Sequence, residues 1–400
     1  MKAIKDPVHG YIQVEPELLP LVDSPEIQRL RYVRQLGFSF LVYPGAHHTR
    51  FEHSLGAMHL ASLMSKQIEL AKEDHLLVTT AALLHDIGHG PFSHAIEGIA
   101  SESLGRSHTD VRDLITKSSL NDELERIDVD PVEVCLMIEG THPLASIIHG
   151  DLDVDRMDYL LRDAHYTGVP YGTVDSGRLI RATRLSNGEI VLDESGVQAA
   201  ESLLIARTLM RPAVYYHHVS RIAEKIFSTA VYEQSRIDPT GIMEKMIRMD
   251  DAACMQALLC SEYSDVRHLA EDLYYRRLFK RSLYLGKEEV SASLRLANDS
   301  NERERELAGR IAEQAGVMPR EVLVDIPAFP RDMSIKVQVQ DRDNLLPLEE
   351  VSPLVTTLNE TRRTQWRVGV YAPEPVINEV RMAARELLHI RPLTRQNRLI

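Results

Sequence analysis

The stretch whose reading decides the fold is His85-Asp86-Ile87-Gly88-His89-Gly90-Pro91-Phe92-Ser93-His94. Apolar residues from Leu76 to Ile87 recur at helical spacing and stop at Gly88, which predicts a helix with His85 and Asp86 in its last turn. Gly90-Pro91 prevents simple continuation, so His85 and His89 need not share a helical face. Adjacent His and Asp side chains rarely both point inward from a regular helix. At a fraying last turn they can converge on one ion. Upstream lies Arg50-Phe51-Glu52-His53-Ser54, and downstream Asp151-Leu152-Asp153-Val154-Asp155-Arg156-Met157-Asp158-Tyr159. His53, His85, Asp86 and Asp155 then supply two imidazoles and two carboxylates from three segments. A mixed His/Asp shell suits Mn, Fe, Ni, Zn or, less well, Mg. Such an ion would polarise a phosphoryl oxygen and acidify a water, which points to metal-assisted hydrolysis of a phosphate ester.

Around this set stand further imidazoles, His89, His94 and His108, which can move protons near neutrality. Glu97, three residues after His94, is placed to orient it. Arg50 and Arg156 flank the ligands, and guanidinium groups match phosphate oxygens bidentately. His47-His48 and His217-His218 read as surface or packing histidines. The acidic run Asp151, Asp153, Asp155 and Asp158 also fits a helix start, where the dipole favours carboxylates. It is no EF-hand, lacking Gly at loop position six and Glu at twelve.

Working outward, the first 24 residues read as an extended arm with turns. Ser24-Pro25 opens a helix ending near Gly37, and another begins near Phe51. The pattern stays helical from 95 to 165. Leu185 to Leu192 reads as a hairpin around Asn187-Gly188, and Val197 to Ile226 as a long helix interrupted near Pro212. Residues 240–315 read as charged helix. Beyond Gly316, Val322-Leu323-Val324, Ile335 to Val339 and Trp366 to Tyr371 read as strands, and Val376, Val380, Ala383 and Leu387 as a last helix. The expected architecture is mainly α: a helical domain over 1–315, with its metal core at about 50–165, and a smaller α+β lobe over 316–400.

The 400-residue chain carries a formal charge of −13, with 44% hydrophobic and 26% charged residues. Such a surface repels nucleic acid on average, which argues against a nucleic-acid partner, but a metal and a few arginines can reverse the field inside one cleft. Cys135, Cys254 and Cys260 fall in no metal-ligand spacing, and this low cysteine content suits a reducing compartment. With no signal core and no membrane-length apolar run, the expected location is the cytoplasm, away from membranes.

The strings together resemble the HD superfamily of metal-dependent phosphohydrolases, whose pattern is a His, a His-Asp doublet and a distant Asp. Asp6-Pro7-Val8-His9-Gly10, Gln28 to Gly37, Tyr43-Pro44-Gly45-Ala46, Arg50 to Gly56, His89 to His94 and Asp158-Tyr159-Leu160-Leu161-Arg162-Asp163 are similar to its deoxynucleoside triphosphate triphosphohydrolases. The similarity covers roughly residues 1–230 well and the rest more loosely. It implies an HD-domain helical core, usually tetrameric, cleaving a dNTP to a deoxynucleoside and inorganic triphosphate. By this resemblance His53, His85, Asp86 and Asp155 are the metal ligands. Arg50, His89, His94, His108 and Arg156 act on phosphates or in proton transfer, with His94 protonating the leaving oxygen, and Arg207 stands on the phosphate side. Tyr159, Asp163 and Tyr215 hold the deoxyribose, and Gln35 and Leu36 lie beside sugar and base.

The resemblance also implies an activating GTP or dNTP at a subunit interface of a homo-oligomer, a tetramer or dimer. Asp23, Gln28 and Arg31 match guanine-reading residues, and Lys2 a phosphate contact. Lys5 replaces an Asn that serves a second nucleotide in the animal relative. Two other readings stand beside this one: an HD phosphohydrolase acting on a nucleoside monophosphate or ribonucleoside triphosphate, and a nucleotide sensor without turnover.

Overall fold

A computed structural model describes residues 2–186, 189–295, 301–330, 337–341 and 344–390. The chain is mainly helical with small sheets. Its strands are β1 (Lys2–Asp6), β2 (Gly10–Val14), β3 (Thr183–Ser186), β4 (Glu189–Asp193), β5 (Lys280–Gly286), β6 (Leu323–Asp325), β7 (Gln338–Asp341), β8 (Asn344–Pro347) and β9 (Arg367–Ala372). Two compact units arise, one from residues 1–217, 238–255 and 333–358, the other from 218–237, 256–332 and 359–400.

In the first unit the central helix, Arg50–Gln67, starts where Glu52 reaches back to accept from the Thr49 backbone N–H at 2.6 Å. The other Glu52 carboxylate oxygen accepts from the Tyr166 hydroxyl at 2.7 Å, which ties this start to the end of helix Val154–Thr167. Helix Lys72–Leu84 buries every residue from Leu77 onward in the same core. It stops one turn earlier than the sequence suggests. Leu84 is its last residue and His85 its C-cap, still at helical dihedrals, and Asp86 follows in the turn over 85–88. Other departures follow from tertiary pairing. The helix expected from Ser24 to Gly37 is only Pro25–Arg29 and a 3-10 turn, Leu30–Tyr32. After it the chain extends, because the Val33 carbonyl accepts from Arg50 N–H and the Gln35 N–H donates to His48 O. Pro212 lies in a π-helical turn, Arg211–Tyr215, between helices Val197–Met210 and His218–Ser235.

β1 and β2 form an antiparallel hairpin, and β3-β4-β7-β8 a four-stranded sheet with β4 and β7 parallel. The expected Asn187-Gly188 turn and the residues Ile335-Lys336 lie outside the described residues. In the second unit β9 lies between β5 and β6. Val324, Val368 and Val370 pack there with Ile311, Val380 and Ala384. β5 corrects the helical reading of 240–315: Ser282, Leu283 and Leu285 face inward while Lys280, Arg281 and Tyr284 stay exposed. Among the described residues no helix is long and apolar enough to cross a membrane.

Two glycines set close approaches. A Cβ on Gly88 would stand 1.9 Å from the His108 carbonyl oxygen, so its absence lets the 106–111 loop close over the 87–90 turn. A Cβ on Gly56 would stand 1.8 Å from Asp158 Oδ1 and 2.5 Å from Arg162 Nη2. Gly56→Ala must push helix Val154–Thr167 off the central helix, at about 1–3 kcal/mol for overpacking. We expect a lower urea midpoint, and an unchanged midpoint would show that the helices part freely.

Candidate active site

His53 rises from the first turn of the central helix, His85 and Asp86 from the end of helix Lys72–Leu84, and Asp155 from the first turn of helix Val154–Thr167. They meet at one point. His53 Nε2 lies 3.2 Å from His85 Nε2, 3.0 Å from Asp155 Oδ1 and 3.9 Å from Asp86 Oδ2. His85 Nε2 lies 3.5 Å from Asp86 Oδ1 and 3.8 Å from Asp155 Oδ1.

The outer nitrogens decide what this point can hold. His85 Nδ1 is 2.8 Å from the Ala82 carbonyl oxygen, and His53 Nδ1 is 2.7 Å from Asp158 Oδ2. Both partners only accept, so both Nδ1 atoms donate, and neutral rings then turn bare Nε2 lone pairs toward each other and toward two carboxylates. Such a set attracts positive charge. Burial would depress His53, but Asp155 and Asp158 overcome it and hold the ring at about 10. His85 is likewise raised against its burial by Asp86 and Asp155. His53, His85 and Asp86 cluster closely enough to hold a divalent ion of the mixed N/O kind, and Asp155 adjoins them through its contacts with the two imidazoles.

Asp158 accepts from four donors. Oδ1 takes His9 Nε2 at 2.6 Å and Arg162 Nη2 at 2.9 Å, and Oδ2 takes His53 Nδ1 and Arg162 Nε at 2.9 Å. A carboxylate behind a metal-binding imidazole fixes its tautomer and ring plane. Residue types alone left Asp158 as one more acid of a helix start; the string Asp158 to Asp163 was the signal available.

On the other side, Arg50 Nη1 donates to Asp86 Oδ2 at 2.7 Å and Arg50 Nε to Ser93 Oγ at 2.8 Å. His89 Nε2 lies 3.3 Å from Asp86 Oδ1, and burial together with the Arg50 charge pulls its imidazole down to about 3. Its ring stacks on His108 at 4.1 Å. The His108 Nδ1 partner is Glu97, which corrects the expectation that Glu97 orients His94. His94, second residue of helix Ser93–Leu104, is exposed, with its ring 6.4 Å from that of His89. His89, Glu97 and His108 also cluster closely enough for an ion. Stacked rings aim their in-plane lone pairs side by side rather than at one point, so proton work suits them better. The helix begins from Phe92 in the left-handed region, φ 46°. This strained residue is held by its N–H to Asp251 Oδ1 at 2.9 Å and by stacking on Phe38 at 4.2 Å.

Three arginines differ in freedom. Arg50 is bound as above, and Arg156 is held by Asp153 and the Gly150 carbonyl. Arg207 makes no hydrogen bond or ion pair among the described residues and lies near Arg156, Tyr159 and Asp153. From His53 a run of aromatic contacts leads away: Tyr159 at 6.5 Å, edge-on, then Tyr215 at 6.0 Å from Tyr159. The Tyr215 hydroxyl, on the π-helical turn, donates to Asp163 Oδ2 at 2.8 Å. Asp163 Oδ1 accepts from His48 Nε2 at 2.7 Å. His48 is therefore buried with a carboxylate partner, while His47 is exposed and stacks on Phe40. Gln35 and Leu36 are buried, and Gln35 Oε1 has no hydrogen-bond partner among the described residues. Apart from this centre, Gln28 Nε2 donates to Val22 O at 2.8 Å, and its Oε1 accepts from Arg31 Nε at 2.7 Å. The Arg31 guanidinium covers the Phe51 ring at 3.5 Å, and Asp23 and Lys2 are exposed.

Comparison with known proteins agrees with this geometry. Residues 50–163 match the HD domain, and residues 174–399 match the HD associated region. An uncharacterized protein of Methanocaldococcus jannaschii is 36% identical, over 95% of this chain and 81% of its own length. The uncharacterized protein YwfO of Bacillus subtilis is 30% identical over 97% of each. The human deoxynucleoside triphosphate triphosphohydrolase SAMHD1 is 27% identical over 84% of this chain, which spans 62% of that enzyme. Among solved structures, a hypothetical protein from Aquifex aeolicus superposes with a TM-score of 0.75 at 30% identity, over 96% of this chain and 99% of that one. A phosphohydrolase from Bacteroides thetaiotaomicron gives 0.73 at 26% identity, over 94% and 100%. The chain belongs to the HD-domain phosphohydrolases that carry an HD-associated region.

Proposed function

We propose that this phosphohydrolase cleaves a dNTP to a deoxynucleoside and inorganic triphosphate. The observation that carries the reading is the continuous path from His53 through Tyr159 and Tyr215 to Asp163. Two tyrosine rings and a terminal carboxylate leading away from His53 support a sugar site next to the His/Asp centre. The name of the human relative supplies the substrate class.

His53, His85, Asp86 and Asp155 would hold the divalent ion, one of Mn, Fe, Ni, Zn or Mg. When bound, it supplies Lewis-acid polarisation of a phosphoryl oxygen and a more acidic water. The α-phosphate sits against this centre. Arg207, without a hydrogen-bond or ion-pair partner among the described residues, takes phosphate oxygens, with Arg156 adding positive charge near it and Arg50 near Asp86. Water adds to the α-phosphorus, the bond to the 5′-oxygen breaks, and His94 donates the proton that this oxygen needs to leave as a hydroxyl. His89, beside Arg50, stays neutral, and the Glu97–His108 pair backs it. Asp163 accepts from the 3′-hydroxyl, and the Tyr159–Tyr215 pair lies where a ribose 2′-hydroxyl would need room. Gln35, with its carbonyl unpaired among the described residues, and Leu36 bound the sugar and base.

Activation by GTP or a dNTP at a homotetramer or dimer interface belongs to the same proposal, with Lys2, Asp23, Gln28 and Arg31 as the reading set. The Gln28–Arg31 pair supports it, since it presents a guanidinium already oriented over an aromatic ring. The domain division, 1–315 and 316–400, is likewise proposed as the functional one, with the chemistry in the first part.

The test is product analysis. Purified protein is incubated with Mn²⁺ or Mg²⁺ and each dNTP, with and without GTP, and the products are resolved by anion exchange. Deoxynucleoside with intact triphosphate is expected in equal amounts. Monophosphate, diphosphate or single phosphate would replace this reading with another phosphohydrolase activity, and binding without product would make the protein a sensor.

A further inference from the structure

The turn between β1 and β2 is built around one side chain. Asp6 Oδ1 accepts from the N–H groups of Val8 and His9 at 2.9 and 2.8 Å, which closes the turn and aims the His9 ring inward. Asp6 Oδ2 accepts from Arg162 Nη1 at 2.8 Å. His9 Nε2 donates to Asp158 Oδ1 at 2.6 Å, with the His9 side chain only 7% exposed and Asp158 fully buried. Arg162 and His9 together occupy the Asp158 lone pairs that His53 does not use. The His53 ring is therefore oriented by a carboxylate that is itself set from the hairpin turn, about 150 residues away in sequence and at the far end of one hydrogen-bonded path.

We infer that His9 is a positioning residue of the metal centre, holding Asp158 so that Asp158 holds the His53 tautomer and ring plane. This rests on reading His53 as a metal ligand, and not on the identity of the substrate. A merely structural His9 would be replaceable by any side chain that fills its volume. A positioning His9 is replaceable only by one that also donates a hydrogen bond to Asp158.

Two variants separate these. His9→Leu keeps approximate volume and loses the donor, whereas His9→Gln keeps an N–H at similar reach. The probe is Co²⁺ alone, titrated into apoprotein while its visible absorption is followed, with thermal melts of each variant alongside. The expected result is cobalt affinity weakened roughly tenfold in His9→Leu, with a changed absorption envelope, and most of both restored in His9→Gln. Leu and Gln variants with equal melting temperatures but unequal cobalt binding would establish the role. Equal cobalt affinity and spectra in wild type and His9→Leu would overturn it. So would a Gln variant no better than Leu. A wild type that takes up no cobalt would overturn the metal reading of His53 together with this one.

Discussion

Arg162→Met is expected to destabilise the protein by about 3–5 kcal/mol, the cost typical of breaking a buried ion pair by removing one partner. Arg162 is fully buried and serves two carboxylates, Asp158 through Nε and Nη2 and Asp6 through Nη1, at 2.8–2.9 Å. Both acids are held in the charged form against their burial, with the arginine as the chief opposing influence on each. Methionine fills the volume and leaves two anions facing one another in a dry space. A fall of roughly 4–6 °C in melting temperature should follow, read by scanning calorimetry. Arg162→Lys should recover only part of it, since an ammonium keeps the charge but not the planar fork. A melting temperature of Arg162→Met equal to that of wild type would mean that these contacts contribute nothing to the folded state.

Asp155→Ala is expected to abolish hydrolysis while sparing the fold. Asp155 is 27% exposed, whereas the side chains of His53, His85 and Asp86 are at most 5% exposed. It is thus the proposed ligand on the more open side, where a substrate would enter. Its removal takes one of the four proposed ligands from the site and weakens the hold on the ion. Two effects on stability oppose one another, the first being that His53 and His85 lose a carboxylate that favours their charged forms. Asp153 next to it is buried, with its carboxyl pushed upward by that burial and by the Asp155 charge, so loss of Asp155 removes a repulsion. Turnover should fall to background and bound metal, measured by mass spectrometry, should fall with it, while the melting temperature stays near wild type. Retained turnover would remove Asp155 from the site.

The comparison of sequence with structure separates two kinds of information. His53, His85, Asp86 and Asp155 were legible because their chemistry is rare in combination and each lies at a helix end that local pattern locates. The partners that orient them were not. Asp158 looks like any acid in a helix start until His9 and Arg162 close on it, and the His9 contact joins residues 149 apart. Glu97 seemed to belong to His94 by spacing, but the loop admitted by Gly88 brings His108 to it instead. His47-His48 read as surface or packing histidines, and the backbone pairing of Gln35 with His48 decides between them, with the His48 ring inward and His47 exposed. The same pairing cut short the helix expected from Ser24. β5 was hidden because its alternation is brief and sits among helix-forming charged residues.

The hairpin turn that closes on Arg162 also carries a consequence for how the protein is made. Asp6 leaves the ribosome ahead of its partner Arg162, which follows 156 residues later. At translation rates of roughly 5–20 residues per second the turn waits on the order of 10–30 s for its arginine. During that interval the Asp6 carboxylate is hydrated and the hairpin, too small to be stable alone, exchanges freely. If His53 is the metal ligand proposed above, the nascent chain cannot orient its ring until helix Val154–Thr167 has emerged, and ion capture would wait until the central helices have their native neighbours.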